Sequence, residues 1–192
     1  MKKSAFLFYF LIIFAGSSYS QNIESYDLQL LVMGMLKDYK MEYSKSHDAT
    51  FLIVGKRIST DKLSTKDSIE VNNVMKKNVW NARSKKHFAQ LLDKYNTYKT
   101  DTVIVKPEDS IRHKVDDFVK NWSDLKRNVE TNPDKNIGLD GYTLRLSLES
   151  KLIYYEDIDV RSPDSHYYPE ILELITEIEN YYKRSVKDPV LD

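Results

Sequence analysis

Residues 142–149 constrain the fold more than any other stretch of this chain. Tyr142, Leu144, Leu146 and Leu148 alternate with Thr143, Arg145, Ser147 and Glu149. Period two this clean requires a strand with one buried face and one wet face. Such a strand needs a neighbour. Ser150 and Lys151 predict a tight turn, and 152–160 returns as the second arm of a hairpin that Ser162-Pro163 stops. Pro169, at a first helical position, then opens a final helix with Ile171, Leu172, Leu174, Ile175, Ile178 and Tyr182 apolar and Glu170, Glu173, Glu177 and Glu179 mostly outside.

The earlier part of the chain reads as a mixture. Ile23, Tyr26, Leu30, Met33, Leu36 and Tyr39, widened by Leu31 and Met35, recur at spacings of three and four and predict one long amphipathic helix over 23–46. Phe51-Leu52-Ile53-Val54 is apolar throughout, which suits a strand covered on both faces, and Gly55 suggests a bulge or a close backbone approach. Two helices follow. One starts near Ser64 and carries Val71, Val74, Met75, Val79 and Trp80; the other carries Phe88, Leu91, Leu92 and Tyr95. A short strand over 102–105 precedes Pro107, after which Ile111, Val115, Phe118, Val119, Trp122 and Leu125 keep helical spacing. Asn132 to Gly141 reads as a loop. The expected fold class is α+β: a single compact domain, with helices packed on a small mixed or antiparallel sheet and a C-terminal β-hairpin followed by a helix.

Residues 1–20 read as a signal peptide. Lys2 and Lys3 form a positive start, an apolar run of Phe, Leu and Ile extends from Ala5 to Ala15, and small residues Ser18 and Ser20 precede a cleavage point before Gln21. The run is too short to span a bilayer. The expected mature domain is 21–192, exported to a periplasm or secreted, with no transmembrane segment after cleavage. The chain has no Cys, so neither disulfides nor thiolate metal sites can form.

Lys+Arg and Asp+Glu are balanced at 29 each, which argues against a nucleic-acid binder. The balance hides a segregation. Residues 62–99 hold nine basic and three acidic side chains, whereas 140–192 hold six and twelve. Either these blocks face each other or they make separate surfaces, and only a separate acidic surface could meet a basic partner.

No Gly-rich phosphate loop, nucleophile elbow, zinc helix or EF-hand pattern occurs. No cofactor, metal site or catalytic residue is expected. His113, Asp116 and Asp117 share a helical face and read as a solvated charge cluster. The sequon Asn121-Trp122-Ser123 falls within an expected helix and is set aside.

One cluster joins the hairpin to the last helix: Tyr155, Asp157, Asp159 and Arg161 on one strand face, then Asp164, His166, Tyr167 and Tyr168 on the connection. Tyr and Arg are enriched at protein interfaces, so these eight residues are the candidate partner-binding site. A structural reading has Arg161 bridging Asp157 or Asp159, Asp164 or Ser165 capping the helix, and the tyrosines covering the sheet edge. A third reading makes Asp157, Asp159, Asp164 and His166 a hydrolytic or metal-dependent site. Tyrosine usage favours recognition: twelve of 14 Tyr lie beyond residue 20, against three of seven Phe. A buried phenol needs a hydrogen-bond partner, so a pure core would use more Phe.

The expected function is thus an exported, non-enzymatic interaction protein whose partner is another protein with a basic surface. In general look the chain is similar to periplasmic immunity proteins, with a signal peptide, a cysteine-free domain, an acidic and Tyr-rich surface and no catalytic motif. That similarity implies an immunity-type inhibitor of a toxin acting in the same compartment. The alternatives are a small hydrolase and a small-ligand or glycan-binding module.

Overall fold

The computed structural model describes residues 24–34, 38–76, 80–132, 142–164 and 166–191. The expected signal peptide, most of the loop before the hairpin, Val79 and Ser165 lie outside them. The elements run β1 (Tyr26–Met33), β2 (Asp38–Lys45), β3 (Thr50–Thr60), α1 (Thr65–Lys76), α2 (Ala82–Asp93) and β4 (Asn96–Ile104). There follow α3 (Ser110–Lys120), α4 (Trp122–Thr131), β5 (Thr143–Ser150), β6 (Glu156–Arg161) and α5 (Pro169–Ser185). The six strands form one antiparallel sheet in the order β4-β3-β2-β1-β5-β6. The fold is α+β, with the expected C-terminal hairpin and helix.

The expected helix over 23–46 is instead the hairpin β1–β2. Tyr26, Leu28, Leu30 and Val32 are buried in alternation, as are Tyr39, Met41 and Tyr43 on the partner strand. The period-two signal was diluted because Leu31 and Met33, on the opposite face, are apolar too and half-buried. Met33 completes the spacings of three and four, and Leu31 widens the stripe.

One sheet face carries the core. Leu28, Leu30, Met41, Tyr43, Leu52, Val54, Leu144, Leu146, Leu148 and Val160 meet the apolar sides of α3, α4 and α5, including Ile111, Val115, Trp122, Ile171 and Ile178. On β3 Leu52 and Val54 are buried on this face, whereas on the other face Phe51 is exposed and Ile53 is half-buried. Gly55 does mark a close approach, since a Cβ there would lie 3.2 Å from Thr100 Cγ2 and 3.3 Å from Tyr98 Cβ. The bulge of this strand pair is further on, between Arg57 and Ser59.

Helical spacing continues from Ile111 to Leu125, but the helix breaks at Asn121, which caps α3 and starts α4. Its side-chain amide donates to the Asp117 carbonyl at 2.9 Å. The return arm of the C-terminal hairpin starts at Glu156 rather than residue 152, because Ser150 N–H closes a turn onto the Ile153 carbonyl at 2.7 Å.

The tyrosines resolve into a single theme. Tyr26, Tyr39, Tyr43 and Tyr182 are buried in the core, and the first, second and fourth each donate a phenol to a carboxylate: Asp116, Glu179 and Asp101 respectively. Tyr95, Tyr98 and Tyr181 do the same with Asp67, Asp93 and Asp109. Acids sent in from neighbouring elements thus satisfy three of the four core phenols, whereas the Tyr43 hydroxyl is buried without a hydrogen-bond partner among the described residues.

A candidate binding cleft beneath helix α2

The sheet's second face is polar. Register places Gln29 opposite Glu42 on β2 and Ser147 on β5, while Asp27 lies opposite Ser44 and Glu149, and Leu31 opposite Lys40 and Arg145. Helix α2 crosses this face on charged contacts. At its start, Lys85 Nζ lies 2.7 Å from Asp157 Oδ1, and Lys86 reaches Glu149. At its end Asp93 holds Lys40 at 3.0 Å and accepts the Tyr98 phenol at 2.8 Å. Helix α1 packs on α2, tied by His87 to Glu70 at 2.7 Å, and Asp67 accepts from Lys94 at 2.8 Å and from the Tyr95 phenol. Those two donors lower the Asp67 carboxyl to about 2.

Because long Lys side chains hold α2 off a polar floor, a cleft of about 640 Å³ remains between them. Its walls are Leu31, Met33, Leu63, Leu92, Tyr95 and Tyr155. The cations around it are already engaged: Lys40 by Asp93, Lys86 by Glu149, Arg57 by Asp38, and Arg145 by a two-pronged contact to Asp159 at 2.8 and 3.0 Å. Asp27, Gln29 and Glu42 lie in the middle of the floor. Among the described residues their side chains have no hydrogen-bond or ion-pair partner. Two carboxylates and an amide at adjacent register positions thus face solvent-filled space in which the surrounding positive charge is spoken for.

The eight residues singled out from sequence divide between two places. Tyr155 is buried and lines the cleft. Asp157 and Asp159 lie on the same sheet face with Arg161, as strand parity requires, but they hold Lys85 and Arg145. It is Arg145, across the hairpin, that makes the bidentate contact with Asp159. Asp164 accepts from the backbone N–H of His166 at 2.7 Å and of Tyr167 at 2.6 Å, closing a turn. It does not cap α5, whose N-cap is Tyr168, held at a left-handed φ of 57° with its ring buried. His166 packs edge-on against the exposed Tyr167. Among the described residues no group of three or more His, Asp or Glu side chains is placed to hold a metal ion.

Asp27, Gln29 and Glu42 were not found from sequence, because a helix over 23–46 scatters them around its circumference. Read as a strand, 26–33 puts Asp27 and Gln29 side by side on the wet face; alternation was the signal that could have found them.

The chain matches no protein-family model, no curated protein and no solved structure at a significant level.

Proposed function

We propose that the chain is an exported, non-enzymatic binding protein that takes a small polar ligand bearing a positive charge into the cleft beneath α2. The observation that carries this reading is the pair Asp27 and Glu42, flanking Gln29 on the cleft floor with no partner among the described residues, while every neighbouring cation is paired. A protonated amine or guanidinium would supply the missing counter-charge, and Gln29 would add an amide for a hydroxyl or carbonyl of the same ligand. The volume, about 640 Å³, lies within the usual size range of small-molecule sites. Export follows from the leader-like residues 1–20 and is tested by whether the mature protein begins at Gln21.

Titration of isotope-labelled protein with arginine and with glucosamine, followed by NMR, checks the ligand reading. Amide shifts should change in β1, β2, β5 and α2, and Asp27→Asn with Glu42→Gln should abolish the response. The double variant should melt no lower than the parent, since it removes two like charges that neutralise nothing. Shifts confined to other elements, or an unchanged response in the double variant, would sink the reading.

A further inference from the structure

A second recess lies on the other side of the molecule, between α3–α4 and α5. It encloses about 280 Å³ over a floor of Phe118, Leu125 and Leu174. Leu125 and Leu174 are anchored in the core, and Phe118 lies edge-on to the buried Trp122 with ring centroids 6.4 Å apart. The rim carries Asp117, Glu170, Glu173 and Glu177, with Lys114 among them. Lys114 sits 2.8 Å from Glu177 and 3.3 Å from Glu173, so it is shared, and Lys120 holds Asp117 at 2.9 Å; four carboxylates thus meet two ammonium groups and the rim keeps an excess of negative charge.

The fold has sorted the acids of the C-terminal block into two groups. Those of the hairpin are answered internally: Asp157 by Lys85, Glu149 by Lys86, Asp159 by Arg145 and Glu156 by Lys126 and the Trp122 indole N–H. Those on the groove side of α5 are answered only in part: Glu173 and Glu177 share Lys114, Glu170 has no ion-pair partner among the described residues, and Glu170 and Glu173 are exposed. The basic and acidic blocks of the sequence therefore do face each other through α2, yet an acidic surface survives on α5.

We infer that this groove docks a basic amphipathic segment of a partner protein, with an apolar side chain seated between Phe118, Leu125 and Leu174 and Lys or Arg side chains on the glutamate rim. Charge complementarity selects that occupant. An acidic or uncharged helix would leave Glu170 and Glu173 facing carboxylates or apolar surface, whereas a basic one neutralises them and covers the exposed part of the Phe118 ring. The site is separate from the cleft beneath α2, and either can fail without the other.

The probe is a fluorescently labelled helical peptide of Leu and Lys with period 3.6, compared with the same peptide carrying Glu for Lys, in anisotropy titrations against the full chain. The Lys peptide should bind the parent protein and the Glu peptide should not. Glu170→Lys with Glu173→Lys should weaken binding about tenfold or more, as removal of two rim contacts predicts. The same charge change made elsewhere, Glu108→Lys with Asp188→Lys, should leave it within about twofold. Circular dichroism melts confirm that both variants fold, as exposed glutamates allow. The inference is overturned if the parent protein does not bind the Lys peptide, if both double variants weaken it equally, or if the groove variant instead abolishes self-association seen by ultracentrifugation, which would make a second copy the occupant.

Discussion

Tyr182 shows how this core handles polar atoms. Its ring is fully buried on α5, its hydroxyl donates to Asp101 on β4, and the same oxygen accepts from the Val190 backbone N–H at 2.6 Å. Val190 N–H also reaches Asp101 at 3.0 Å, so three separate parts of the chain meet at one phenol. Burial, with the Asp101 hydrogen bond adding to it, pushes the phenol up to about 12. Tyr182→Phe keeps the ring and removes the hub. It should cost about 1–3 kcal/mol in urea unfolding, the usual range for loss of a hydrogen bond to a charged group, with Asp101 and the Val190 N–H left only with each other. Tyr181→Phe, whose phenol meets Asp109 in a half-exposed setting, should cost clearly less. Equal losses would mean that the hub contributes no more than a single half-exposed phenol–carboxylate bond.

At the scale of elements, helix α2 is the unusual one. It covers a sheet face without an apolar seam beneath its first turns, held instead by Lys85 and Lys86 on the hairpin and by Asp93 on Lys40. Pairs with this much exposure contribute only about 0.2–1 kcal/mol each. Reversal of both lysines, Lys85→Glu with Lys86→Glu, should therefore lower global stability by no more than about 2 kcal/mol while accelerating amide exchange in α1 and α2 far more than in β1 and β5. Uniform acceleration across the chain would show that the helical pair opens only with the whole domain. The hairpin β5–β6 and helix α5 were readable from sequence because Leu144, Leu146 and Leu148 alternate without interruption and Pro169 fixes a helix start. The hairpin β1–β2 was not, because Leu31 and Met33 are apolar on the face that forms the cleft. The same two residues that hid the strand hid the site beside it. Charge blocks showed that 62–99 and 140–192 differ in sign, but only the tertiary contact of α2 with the sheet decides which acids remain outside.

For the whole molecule, the recurring Tyr–carboxylate contacts predict an asymmetric response to pH. Tyr26, Tyr39, Tyr43 and Tyr98 are raised by burial, and three of them also by a bonded carboxylate; Tyr181 and Tyr182 are raised to about 12 for the same reasons. In the unfolded chain each ionises near its ordinary value of about 10. A raised folded-state value means that the native protein holds protons which the unfolded chain has released, so the stabilisation is complete below pH 10 and is lost as pH climbs toward 12. Urea midpoints should stay level to about pH 9.5 and then fall steeply, with tyrosinate absorbance rising together with unfolding. Gradual ionisation of most phenols in the folded protein, ahead of any loss of structure, would contradict the arrangement.

The strand order carries one more consequence, in time rather than in space. β1 is a central strand, yet its two neighbours come from opposite ends of the described chain: β2 follows it at once, whereas in β5 the partner of Leu28 is Leu148, 120 positions away. The sheet cannot be completed until ribosomal synthesis has passed Arg161, nor the face beneath α3 and α5 sealed until it has passed Ser185. Closure of so long a loop is slow compared with helix or hairpin formation. A nascent chain therefore remains an open, unfinished sheet through most of its synthesis.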